Sequence, residues 1–280
     1  MELTNKTALV TGSTDGVGRA VAERLAAAGA RVLVHGRDEA RGKATVAAIM
    51  AAGGNAELLI ADLAALGEVL RLADTVRDRT DHLDLLINNA GVGTGGQGTK
   101  RQMSADGYEL RFAVNYLAGF LLTSRLLDLL KASAPSRIVN VASAGQQAID
   151  FDDVMLSRGY SGVRAYCQSK LAQILFTVDL AETLEGSGVT VNALHPASYM
   201  DTSMVRQAGI APWNTVETGA DAILNLATSP ALEGRSGLYF DGRRESRAEA
   251  QAYDPQARRQ LRKLSLELIG ETATTRKQHS

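Results

Sequence analysis

Short apolar runs and helical runs alternate along this chain from residue 7 to residue 242, and that alternation limits the available folds more than any other feature. The stretches "TALVTG" (7–12), "RVLVHG" (31–36), "AELLIADL" (56–63), "LDLLINNAG" (83–91), "RIVNVAS" (137–143), "VTVNALHP" (189–196) and "SGLYFDG" (236–242) read as buried strands. Between them, 16–30, 38–52, 65–80, 105–131, 161–186 and 215–228 carry helical character, and Gly53-Gly54 marks the end of the second helix. Strands separated by helices are the pattern of βαβ units. The expected fold class is α/β: a single-domain, doubly wound parallel sheet of about seven strands with helices on both faces. Residues 1–242 form that domain, "GVGTGGQG" (91–98) is a loop, and 243–280 is a charged, partly helical tail with a helix at 255–269.

Composition narrows the function classes. With 45% hydrophobic and 22% charged side chains, the 280 residues can bury a full core. A net charge of −1 argues against nucleic acid, or an anionic membrane, held by bulk electrostatics. The one cysteine, Cys167, allows no intrachain disulfide and fits a reducing compartment. No stretch reaches the ~20 apolar residues that span a bilayer, and "MELTNKTALVTG" shows no apolar leader. The expectation is a soluble, cytoplasmic protein with a small-molecule substrate, no membrane span and no metal site.

The first strand runs into Thr11-Gly12-Ser13-Thr14-Asp15-Gly16-Val17-Gly18 and then a helix. A parallel sheet binds a dinucleotide at this turn. Glycines let the backbone approach the pyrophosphate, and the helix N-terminus offers free N–H donors and a favourable dipole. The spacing is G-x-x-x-G-x-G, and no Gly-Lys-Ser/Thr follows, so a P-loop is excluded. A tight strand-to-helix turn is the plainer reading. About twenty residues on, the position where an acid accepts ribose hydroxyls is Gly36, followed by Arg37. A guanidinium there can pair with a 2′-phosphate and stack on adenine, which favours NADP(H) over NAD(H); a solvated arginine is the alternative. Asp38 reads as the next helix's N-cap.

Tyr166 and Lys170 lie four apart in a proline-free helical run, so they share a face. A phenol titrates near pH ~10, and a neighbouring ammonium favours its anion. That pairing suits a general acid/base, though the spacing also arises on solvated helices. Ser143 ends a strand on the side where ligands bind and can hydrogen-bond a carbonyl, or merely cap backbone. Asn115 sits inside a helix, where asparagine is a poor former. Cys167 reads as packing, on another face of its helix from Tyr166, and His195 as structural.

In this order the motifs resemble those of the short-chain dehydrogenase/reductase superfamily. They are Gly12, Gly16 and Gly18; Asp62-Leu63; Asn88-Asn89-Ala90-Gly91; Asn115; Ser143; and Tyr166 with Lys170. "FDDVMLSRGYSGVRAYCQSKLAQILFT" and "ELRFAVNYLAGFLLT" resemble the retinol dehydrogenase-like branch and its bacterial relatives. The resemblance implies a Rossmann fold and hydride transfer between NADP(H) and a carbonyl or alcohol, with Tyr166 exchanging the proton. It further implies that Lys170 holds the nicotinamide ribose and that Asn115 joins a water-mediated relay. Asp62 and Leu63 would sit at adenine, although Asp62 can equally cap a helix; Asn89, Ala90 and Gly91 would line the adenine ribose. Pro196 and Thr202 would adjoin the nicotinamide. Pro196-Ala197 replaces the family's Pro-Gly, and Thr202 lies one residue further from the proline than in the family pattern.

The segment 197–214, with Tyr199, Met200, Met204, Val205, Ile210 and Trp213, would fold over the cofactor and give an apolar pocket, or pack on the core. The animal enzymes of that branch carry a membrane-anchoring segment that is not seen here, so retinol is not implied. Helices 105–131 and 161–186 resemble the family's dimerisation surface and suggest a homodimer or homotetramer. Alternatives are an NAD-dependent alcohol dehydrogenase, a non-catalytic NADP(H)-sensing regulator and a sugar-nucleotide epimerase. The regulator would be expected to lose Ser143, Tyr166 or Lys170, and the epimerase to have a larger C-terminal domain.

Overall fold

All seven apolar runs contain strands in the computed structural model, which describes residues 2–96 and 98–271. They are β1 (Thr7–Val10), β2 (Arg31–Gly36), β3 (Asn55–Ile60), β4 (Leu85–Asn88), β5 (Ser136–Val141), β6 (Val189–His195) and β7 (Tyr239–Asp241). An eighth strand, β8 (Arg244–Ser246), returns antiparallel on β7. The order is β3-β2-β1-β4-β5-β6-β7-β8, and the first seven are parallel. Connections leave β1 toward β2 on one side and reach β4 on the other, so the crevice at the sheet's C-terminal edge opens between β1 and β4.

Side chains alternate across the sheet as a period of two requires. Ala8, Val10, Val32, Val34, Leu85 and Ile87 face α1 (Gly16–Ala27) and α7 (Val216–Thr228). Leu9, Leu33 and Leu86 face the other way, toward α3 (Leu66–Arg79), α4 (Ala118–Ala132) and α5 (Gly162–Thr183). Each fully buried leucine contributes about 2 kcal/mol of transfer free energy, which fixes strand register far more firmly than local propensity does. α2 (Glu39–Ala51) packs beside β2 and β3, with Asp38 as its N-cap, accepting from Arg41 N at 3.0 Å. A short α6 (Ser203–Gln207) lies inside 197–214.

Two elements differ from the sequence expectation. The helix predicted from 105 starts later, because Gly107 adopts a positive φ of 81° and Ser104 N donates to Tyr108 O at 2.7 Å, closing a turn. Met103 and Glu109 then pair as an antiparallel bridge. Helical structure continues as a π-helical turn, Phe112–Leu117, before α4. Together Phe112–Ala132 is long and apolar enough to cross a membrane by length and composition, which the sequence reading had excluded. Its apolar side chains are accounted for by the core, where 61% of its most apolar window is buried.

The second difference lies after residue 242, where the helix expected at 255–269 is present but is packed on the domain. There α8 (Pro255–Leu268) docks along α5: Leu261 is buried, Ser265 Oγ meets Tyr116 OH at 2.6 Å, and Arg258 pairs with Glu182 at 2.7 Å. The remainder of the predicted tail, 272–280, lies outside the described residues.

Candidate active site

The C-terminal ends of β1, β4, β5 and β6 bring the expected residues to one edge of the sheet. Gly12 has φ +63°, and a Cβ there would stand 2.8 Å from Ala90 Cα. A Cβ on Gly18 would stand 2.3 Å from Gly12 O. These glycines are needed for backbone to meet backbone. Asn89 Nδ2 donates to Thr11 O (2.8 Å) and Gly12 O (3.1 Å), while Thr11 Oγ1 accepts from the amides of Asn89 and Ala90. The side chain of Asn89 thus ties the β4 loop to the glycine turn. Ser13, fully buried, donates to Val10 O at 2.7 Å and accepts from His35 N at 3.0 Å. Asp15 caps α1, accepting from Gly16 N at 2.7 Å. A second bond, from Ser203 on α6, is the main cause that lowers its pKa.

Val17 packs toward α7, and Thr14 lies over Gly36, where any Cβ would be 2.5 Å from the threonine methyl. Arg37 is exposed and forms no ion pair among the described residues. Asp62 accepts from Ala64 N at 3.0 Å and holds the turn before α3, while Leu63 is buried in the core. Pro196 is buried at the end of β6, and Thr202 caps α6 with its methyl 3.2 Å from where a Gly16 Cβ would stand.

The candidate catalytic groups come from the end of β5 and from α5. α5 is a 22-residue helix whose N-cap, Ser161, accepts from Arg164 N. It presents Tyr166, Ser169, Lys170 and Gln173 toward β5 and the π-helical turn. Ser143, two residues past β5, lies beside Tyr166, a Gly145 Cβ standing 3.5 Å from its Oγ and 3.7 Å from the tyrosine ring, and its Oγ accepts from Gly145 N at 3.0 Å. Lys170 is buried; Nζ donates to Val141 O (2.8 Å) and Gln173 Oε1 (2.9 Å) and lies 5.8 Å from the Tyr166 ring centroid. Asn115, in the π-helical turn, accepts from Val92 N (2.7 Å) and donates to Val92 O (3.1 Å) and Ser169 Oγ (2.9 Å). A Cβ on Gly91 would be 3.2 Å from Asn115 Oδ1 and 3.6 Å from Lys170 Nζ, so all three meet. The asparagine amide is spent on structure and makes no direct bond to Lys170.

The expected electrostatics of Tyr166 and Lys170 are reversed. Desolvation pushes the phenol up, the neighbouring Ser143 hydroxyl works against it, and burial draws Lys170 down to about 7. With Nζ 5.8 Å from the ring centroid, loss of water outweighs the attraction that the helical spacing suggested. Cys167, read as packing, lies close to these groups. A point 3.5 Å from its Sγ, 3.5 Å from Ser143 Oγ and 3.7 Å from the Tyr166 ring is where a Gly145 Cβ would stand. The thiol therefore borders the site, and burial raises its pKa, which keeps it a thiol.

The family model described as short chain dehydrogenase matches residues 6–212. The chain belongs to that family. This short-chain dehydrogenase is 40% identical to human retinol dehydrogenase 13 over 95% of its own length and 85% of the relative's. It is 37% identical to mouse retinol dehydrogenase 11 over 96% of its length and 88% of the relative's, which places it in the retinol dehydrogenase-like branch. Among solved structures it resembles one from Mycobacterium paratuberculosis (TM-score 0.80, 29% identity, 96% and 95% of the two chains). It also resembles the Pseudomonas aeruginosa RhlG/NADP active-site complex (TM-score 0.71, 29% identity, 86% and 95%). This short-chain dehydrogenase is accordingly an oxidoreductase.

Its site includes residues that sequence reasoning missed. His35 is buried at the end of β2 with Nδ1 accepting from Gly12 N (3.1 Å) and Nε2 facing Ala61 O (3.2 Å), which assigns the proton to Nε2. Burial holds it neutral, with a pKa of about 4. Its signal was a histidine in an otherwise apolar strand, one residue before the ribose position. Arg41 lies 3.6 Å from Asp15 and 3.5 Å from Asp38, giving the turn a second cation from the first turn of α2. Tyr239 OH donates to Ser143 O at 3.2 Å and ties the loop after β5 to β7; no local pattern marked it.

Proposed function

We propose that the chain is an NADP(H)-dependent reductase or dehydrogenase for a hydrophobic carbonyl or alcohol, with Tyr166 as general acid and base. The observation that carries this reading is the convergence of Ser143, Tyr166 and Lys170 beside the glycine turn. The nicotinamide cofactor, when bound, supplies or accepts the hydride. In this reading Ser143 Oγ hydrogen-bonds the substrate oxygen, and Tyr166, kept as a neutral phenol by burial, delivers the proton to that oxygen. Lys170 in its ammonium form steadies the phenoxide left behind. Asn115 serves a relay only through intervening water, since its direct bonds go elsewhere.

The residues fit a dinucleotide phosphate. The glycine turn has no room for side chains, Gly36 leaves no acid at the ribose position, and Arg37 forms no ion pair among the described residues. The resemblance to NADP complexes, including the landomycin C-6 ketoreductase LanV with bound NADP and rabelomycin at 30% identity, supports the same preference. Over the site, α6 rests on Gly16 and Gly93, and the segment around it exposes Tyr199, Met204, Ile210 and Trp213. Those side chains suit an apolar substrate.

Fluorescence titration with NADPH and NADH, followed by turnover on a carbonyl panel, tests the reading. Tyr166→Phe is expected to abolish turnover while leaving NADPH affinity nearly intact. Arg37→Ala should weaken NADPH about tenfold or more, as loss of a charged hydrogen bond does, and NADH little. Equal losses for both cofactors would favour NAD(H), and near-normal turnover by Tyr166→Phe would remove the tyrosine from the mechanism.

A further inference from the structure

Arg111 belongs to none of the recognised motifs, yet it is only 3% exposed and lies against Glu109, 1% exposed. A buried ion pair is seldom more stabilising than apolar side chains of the same volume, so stability alone does not explain it. Its guanidinium donates in three directions. Nε binds Gly93 O at 2.8 Å and Nη2 binds Thr94 O at 3.1 Å. Nη1 reaches Tyr160 OH at 2.7 Å and Glu109 Oε1 at 3.3 Å. Tyr160 OH in turn donates to Glu109 Oε1 at 3.1 Å, and the other carboxylate oxygen accepts from Phe112 N at 2.8 Å, at the head of the π-helical turn.

We propose that Arg111 is a positioning residue: it fixes the backbone of Gly93 and Thr94, and with it the wall of the active site beside Lys170. The proposal rests on the oxidoreductase reading above. Asn115 already holds Val92 by both its N–H and its carbonyl, so Val92, Gly93 and Thr94 are pinned in succession by side chains from one turn. Three parts of the site bear on this wall. Gly91 adjoins Asn115 and Lys170; Met204 of α6 lies 2.7 Å from where a Gly93 Cβ would be; and Gly162, the first residue of α5, sits so close to Thr94 O that a Cβ would come within 2.1 Å. Tyr160 extends the grip to the chain just before α5. A planar fork with separate Nε and Nη donors can serve two successive carbonyls while facing a carboxylate, and an ammonium cannot.

Arg111→Lys keeps the charge opposite Glu109 but loses the bridge between the two carbonyls. Its kcat is expected to fall about ten- to hundredfold, the scale of a small misplacement of reacting groups. NADPH affinity should stay within about threefold, because the phosphate contacts are at the far end of the site. Amide hydrogen exchange should quicken in 91–96 and leave the β1–α1 turn unchanged. Tyr160→Phe, which leaves both carbonyl bonds in place, should lose less than Arg111→Lys. Wild-type kcat and protection in Arg111→Lys would overturn the proposal. So would a loss of kcat matched by equal loss of NADPH affinity and of protection throughout the chain, which marks simple destabilisation. If Arg111→Lys fails to fold, the neutral pair Arg111→Gln with Glu109→Gln carries the same expectations. A wild-type protein that binds NADPH but reduces no carbonyl defeats the oxidoreductase reading, and the exchange comparison still decides the role of Arg111.

Discussion

At the scale of single residues, the ammonium of Lys170 is buried against two uncharged oxygens, those of Val141 and Gln173. Its pKa falls from 10.5 to about 7 on folding. The folded protein thus binds this proton more weakly than the unfolded chain does, and stability rises as pH climbs from about 7 toward 10.5. Below that window the native state carries the whole cost of the buried charge. Lys170→Met is therefore expected to lose turnover yet melt several degrees higher near pH 6, with the gap closing toward pH 10. Calorimetry at several pH values would check both the sign and the window. Tyr166, Lys170 and Ser143 were legible because helical spacing and strand ends are local properties. The direction of the Tyr166 and Lys170 pKa shifts was not, since desolvation depends on every element packed around them.

At the scale of elements, the glycine turn is held as much by strand ends as by its own glycines. His35 links Gly12 N to Ala61 O and so joins the ends of β1, β2 and β3. Its depressed pKa of about 4 means that the neutral ring belongs to the folded state. Stability is full above pH ~6.5 and is lost as pH falls toward 4, by about 3 kcal/mol at most. His35→Gln keeps a donor and an acceptor without titrating, so its denaturant midpoint should change less than that of wild type between pH 7 and pH 5. The turn itself was readable from "TGSTDGVG", but its histidine anchor was not, because the partner carbonyl lies 26 residues away in sequence. The Glu109–Arg111–Tyr160 cluster escaped for the same reason. Glu109 and Arg111 fall in the stretch the sequence gives to one long helix, and the turn at Gly107 and the packing of α5 place them inside.

At the scale of the whole molecule, the alternation of apolar strand runs with helical runs and the glycine turn after β1 were enough to read a doubly wound sheet. The antiparallel β8 and the docking of α8 were not, as short exposed strands and amphipathic helices leave their partners unspecified. Leu261 is the test of that docking: it is 1% exposed, and its truncation to alanine should cost about 3 kcal/mol in urea unfolding while leaving NADPH affinity unchanged. The segment around α6 has a different consequence. Its contacts with Asp15, Gly16 and Gly93 join both banks of the crevice. If the dinucleotide of the proposed reading lies beneath that bridge, it leaves only when the bridge lifts. Substitutions in the bridge should therefore alter residence time more than equilibrium occupancy, and turnover can become limited by departure of the spent nucleotide rather than by chemistry.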